Sequence, residues 1–93
     1  MTNDNEITAV IFRFDEAHDE VFALFPYLSY RHNYRTTGYA HLGQHFECDY
    51  DQAVAGTRPA THEEYKPLLW ELQGVDYQLK IIKRAQHNKM YQL

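Results

Sequence analysis

The spacing of apolar residues along this chain changes period twice. In ITAVIFRF (7–14), Val10, Phe12 and Phe14 alternate with Ile11 and Arg13, which is the period of an extended strand. DEAHDE (15–20) interrupts the run as a polar connection, and VFALF (21–25) resumes it until Pro26. Two such runs with a short polar link predict a β-hairpin. PYLSYRHNYRTT (26–37) reads as a polar-aromatic loop, and GYAHLGQ (38–44) as a third strand, with Gly43 marking a bulge or a close approach of another group.

After residue 48 the period lengthens. DYDQAVAG (49–56) predicts a short helix, capped by Asp49 or Asp51 and stopped by Gly56. Thr61 and Glu64 have the spacing of a capping box. Behind them Tyr65, Leu68, Leu69 and Leu72 form one apolar stripe, so a helix is expected over 61–73, ended by Gly74. Pro67 lies past the first turn, where the missing backbone donor costs up to about 3 kcal/mol, so a kink or a late start is expected. VDYQLKIIKR (75–84) returns to period two, with Val75, Tyr77, Leu79 and Ile81 on one side. The order β-β-β-α-α-β implies an α+β fold: a two-layer sandwich with a mostly antiparallel sheet of three or four strands and the 61–73 helix packed on one face. Residues 1–93 make one domain, with 1–6 and 85–93 expected to be loose ends.

Composition narrows the classes of function. A chain of 93 residues buries roughly 60–65% of the surface its unfolded form exposes, so a deep ligand site is expected at a subunit interface. The net charge of −4 argues against a nucleic-acid backbone binder, and no sequence-specific nucleic-acid contact is expected. The charge is uneven: 15–20 is acidic, and KIIKRAQHNK (80–89) carries only bases among its charged residues. A single cysteine, Cys48, excludes an intramolecular disulfide and fits a reducing compartment. The polar, acidic start MTNDNEIT lacks the features of a signal peptide, and no apolar run is long enough to span a membrane. A cytoplasmic location is expected.

The densest chemistry lies at HLGQHFECD (41–49). His41, His45, Cys48 and Asp49 are all zinc-ligand types, and His41 with His45 share a face in either a strand or a helix. A structural zinc site normally draws on two ligand pairs, and the sequence has only this one cluster, so no metal is expected. Cys48 with a histidine suggests a nucleophile pair, but no oxyanion loop or phosphate-cradling glycine loop accompanies it. No cofactor motif is present. Binding is the better-supported class. Tyr30, Arg31, Tyr34 and Arg35 lie one short step from His41, Gln44 and His45, and together they offer stacking area, positive charge and directional hydrogen bonds. Such a patch suits a small anionic nucleotide or a protein partner, because Tyr and Arg are common hot-spot residues. The bland alternative is that the histidines are partly buried and satisfy loop carbonyls.

The segments ALFP (23–26), H-x-GQH (41–45), PAT-x-EEY (59–65), LLWEL (68–72) and Y-x-LKIIKR (77–84) together resemble a family of short uncharacterised proteins encoded by bacteria, phages and other mobile elements. The resemblance covers about residues 9–84. Cys48 and Pro67 depart from the family pattern. It implies a setting and no chemistry: a small non-enzymatic binding protein of phage type that inhibits or sequesters a host component. One version is a sponge for an anionic nucleotide signal bound at a homo-oligomer interface. A second is a protein–protein interaction inhibitor of a host defence complex. A third is a small His-dependent hydrolase.

Overall fold

The computed structural model describes residues 7–29, 36–40, 44–75 and 77–82. The first hairpin forms as the alternation predicts. Strand β1 (Thr8–Asp15) pairs antiparallel with β2 (Glu20–Ser29), from Ile11 opposite Leu24 to Asp15 opposite Glu20. The turn between them places Asp19 at φ 52°, a left-handed conformation that aspartate tolerates better than most residues. β2 does not stop at Pro26. It runs on to Ser29, and its pairing with the next strand shifts register between Phe25 and Ser29. Pro26 sits in this irregularity, beyond the Ile11–Leu24 pair, where a missing donor interrupts no regular ladder.

The single strand expected at 38–44 is two strands. β3 (Thr36–Ala40) and β4 (Gln44–Cys48) form a second hairpin, with Tyr39 opposite His45 and Gly38 opposite Phe46. Along β4, exposed His45 and Glu47 alternate with half-buried Phe46 and Cys48, a period the residue types at 44–48 only partly reveal. Of the loop expected at 26–37, residues 26–29 belong to β2 and 36–37 to β3, while 30–35 lie outside the described residues, as do the ends at 1–6 and 85–93.

Strand order is β4-β3-β2-β1-β5, where β5 is the two-residue Arg58–Pro59. The far edge of β1 is shared. β5 runs antiparallel to it at Arg13 and Phe14, and β6 (Leu79–Ile81) runs parallel to it along Thr8–Val10. The returning strand is shorter than 75–84 suggests. Val75 is exposed at the end of the preceding helix, while Tyr77, Leu79 and Ile81 pack on the core.

Helix α2 (His62–Gly74) starts where the capping box puts it and runs continuously through Pro67, so the late start does not occur. Thr61 Oγ1 accepts from the Glu64 amide at 3.3 Å, and Glu64 Oε1 accepts from the Thr61 amide at 2.8 Å. Leu68 and Leu72 are fully buried against Val10, Phe12, Ala23, Phe25 and Tyr39, while Tyr65 and Leu69 are only partly buried beside them. The other face of the sheet is not open, as a two-layer sandwich would leave it. Helix α1 (Tyr50–Ala55) brings Tyr50, Ala53 and Val54 onto Ile11, Phe22 and Leu24. Both faces of β1 and β2 are thus covered, which explains the nearly unbroken apolar character of their sequences.

Candidate functional site

The β3–β4 hairpin and the end of α2 build one polar-aromatic rim. His45 and Tyr39 face each other across the ladder, and the imidazole meets the Tyr39 ring edge-on at 4.8 Å. His45 Nε2 lies 2.8 Å from the hydroxyl of Tyr77, which the chain delivers as it returns from α2 to β6. Tyr77 is fixed in turn by stacking on Phe25, with ring centroids 5.1 Å apart. The Tyr39 hydroxyl donates to Glu71 Oε2 at 2.6 Å, a short bond to a charged acceptor. Burial pushes the Tyr77 phenol above its ordinary pKa, so it stays protonated at neutral pH and can donate to Nε2. The side chain of His45 remains exposed, yet two rings and one hydroxyl hold it in place.

Of the seven binding residues expected from sequence, His45 is the one whose side chain the structure places. Gln44 opens β4, and Tyr30, Arg31, Tyr34, Arg35 and His41 lie outside the described residues. The remainder of the 41–49 cluster is taken apart. His45 points to the α2 face, with Tyr39 and Tyr77. Cys48, three positions on, points to the α1 face, packs with the Ile11–Phe22–Leu24–Tyr50 cluster, and its thiol donates to the Thr36 carbonyl at 3.6 Å. Asp49 caps α1, its Oδ1 accepting from the Gln52 amide at 3.1 Å. Among the described residues no group of three His, Cys, Asp or Glu side chains converges as a metal site would require.

Sequence reasoning missed Tyr39, Glu71 and Tyr77. Tyr77 sits in a strand-like run where a core role is the ordinary reading, and Glu71 lies between the leucines of the helical stripe. It also missed a cleft of about 390 Å³ lined by Phe12, Ala60, His62, Tyr65, Ile81 and Ile82, where the edge of β1 passes from β6 to β5. Its wall is the Phe12–Tyr65 stack, with centroids 4.4 Å apart, and His62 meets Tyr65 edge-on. None of the residues named as lining the cleft belongs to the rim of His45, Tyr77, Tyr39 and Glu71.

The chain is an α+β domain with an antiparallel sheet and one main helix packed on it. No family model, no curated protein and no solved structure matches it. No helix among the described residues is long and apolar enough to cross a membrane.

Proposed function

We propose that this protein is a small non-enzymatic binding module that inhibits or sequesters a partner protein through the rim of His45, Tyr77, Tyr39 and Glu71. The observation that carries the reading is the exposed His45 imidazole, held between the Tyr77 hydroxyl and the Tyr39 ring. A side chain already confined in this way loses little further freedom when a partner docks on it. The rim is aromatic and directional, and it is acidic: Glu71 reaches it through Tyr39, and Glu47 lies two residues from His45 on the same strand face. Carboxylates beside the imidazole disfavour a phosphate there and favour Lys or Arg on a partner surface. This supports the protein-partner reading over the nucleotide sponge. Cys48 on the opposite face weighs against a Cys48–His45 nucleophile pair. The choice of a host component as target rests on the resemblance to short phage and mobile-element proteins drawn from the sequence segments alone.

The test pairs an affinity capture from host lysate with calorimetric titration of cyclic and linear nucleotides. Wild-type protein is expected to capture a defined partner. Tyr77→Phe should weaken that complex by about 0.5–1.5 kcal/mol, the net worth of one hydrogen bond, and His45→Ala should weaken it further. Flat nucleotide titrations agree with this reading. A nucleotide that binds wild-type protein and not His45→Ala would replace it with the sponge.

A further inference from the structure

The outer edge of β1 is covered by two short strands that do not meet. β6 pairs with it as far as Val10 opposite Ile81, and β5 begins at Arg13 opposite Pro59. Ile82 N donates to Val10 O at 2.8 Å, and Ala60 N donates to Phe12 O at 3.0 Å. The N–H and C=O of one residue point to the same side of a strand, so the Phe12 N–H lies on this edge between those two bonds. One more step of the β6 ladder would give it the Ile82 carbonyl. One more step of the β5 ladder would give it the Ala60 carbonyl. Neither bond forms, and the Phe12 amide has no partner among the described residues. Phe12 is only 5% exposed, and a buried N–H without a partner is rare in a folded chain. Phe12, Ala60 and Ile82, the residues around that amide, all line the cleft of about 390 Å³. We propose that the cleft binds an uncharged, flat ring molecule whose hydrogen-bond acceptor, a ring nitrogen or a carbonyl oxygen, receives the Phe12 N–H.

The lining selects this class. It holds no Lys, Arg, Asp or Glu, so a charge brought in from water would meet no counter-charge. Its walls are aliphatic at Ala60, Ile81 and Ile82 and aromatic at Tyr65, whose ring is held by the stack on Phe12. A dry cavity of about 150 Å³ takes a benzene, and small-molecule sites run from about 300 to 1,000 Å³, so there is room for two fused rings. A peptide strand is excluded, because a ladder needs donors and acceptors in succession. Val10 and Phe14 on the same edge already belong to the pairs with Ile81 and Arg58, and Phe12 O already accepts from Ala60. The gap offers one donor and nothing more. A water could meet that donor but would leave the apolar walls wet. Exposed His62, edge-on to Tyr65, can meet a second polar group on the ring.

Benzimidazole and indole share one fused frame and one N–H, and only benzimidazole adds a ring-nitrogen acceptor. Both are uncharged in slightly alkaline buffer. In proton–nitrogen correlation spectra of the full chain, benzimidazole should move the Phe12 amide proton downfield and shift Ala60, His62 and Ile82 with it. It should bind about two- to tenfold tighter than indole, the worth of one hydrogen bond. Before any probe is added, the Phe12 amide should exchange with deuterium about tenfold or more faster than Ile11 and Arg13, which point to β2, and saturating benzimidazole should remove most of that difference. Equal affinities for the two probes overturn the proposal, as does a Phe12 amide that stays unmoved while exposed Trp70 shifts. A Phe12 amide as protected as its neighbours in the free protein also overturns it, because the cleft is then filled by the chain itself. The lining shares no residue with the rim of His45, Tyr77, Tyr39 and Glu71, so none of these results bears on partner capture there.

Discussion

Each helix is tied to the sheet by one arginine, and the two ties are made in opposite surroundings. Arg13 is buried under α1. Its Nη2 donates to the carbonyls of Val54 at 3.0 Å and Thr57 at 2.7 Å, and its Nε donates to Thr57 Oγ1 at 3.0 Å. A six-residue helix ends with carbonyls that have no partner of its own, and α1 has no basic residue in its last turn. Arg13 supplies that charge from across the sheet. Burial lowers its pKa, with Tyr50 opposing the shift, but an arginine stays charged. Arg58 is part-exposed at the start of α2. It grips Glu64 with two parallel bonds of 2.8 and 2.7 Å, reaches Glu16 at 3.2 Å and lies 4.4 Å over the Phe14 ring. One tie joins a charge to carbonyls that never titrate. The other joins two charges, one of which does. The short helix depends on its tie, whereas α2 has its own leucines.

The largest effect should come from those leucines. Leu72 is fully buried between α2 and the sheet, and Leu72→Ala should cost about 2–5 kcal/mol in urea unfolding. A loss near zero would mean that α2 is held mainly by Arg58. Arg13→Met should cost less, about 1.5–3 kcal/mol, the scale of hydrogen bonds to a charged group. Its signature should be local. Amide exchange in Tyr50–Ala55 should accelerate while α2 keeps its protection. Equal acceleration in both helices would show that they open as one unit and would dissolve the comparison.

Much of α2 was legible because its signals are local: the capping box spans four residues and the stripe eight. The ties were not. Arg13 reaches 41 and 44 residues along the chain, and nothing in IFRF distinguishes an arginine facing solvent from one facing a helix end. The rim was half legible for the same reason. His45 stood out by type, but its partner Tyr77 lies 32 residues away in a run that reads as core. The 41–49 cluster looked like one site because strand and helix were both open there. Once β4 is a strand, positions 45 and 48 must face opposite ways. The second hairpin was hidden by its shortness, since five residues per strand leave little alternation to count.

The smallest effect sharpens the comparison through pH. The bonds from Arg58, helped by the Thr61 amide, hold the Glu64 carboxyl down at about 2, well below its ordinary 4.5. A carboxyl with a depressed folded-state pKa binds fewer protons folded than unfolded between those two values, so its contribution is complete above the ordinary pKa and is lost as pH falls towards 2. The α1 tie has no such dependence, because carbonyls and a guanidinium do not titrate there. Asp15 is also lowered and His18 raised by their mutual hydrogen bond, but both are present in either protein and drop out of a difference. Urea midpoints of wild type and Glu64→Gln should therefore lie apart at pH 6, converge between pH 4.5 and 2, and draw closer at pH 6 when salt is added, since the pair is open to screening. Parallel curves over that range would show that the Arg58–Glu64 pair contributes nothing to holding α2, and that its leucines and capping hydroxyl suffice.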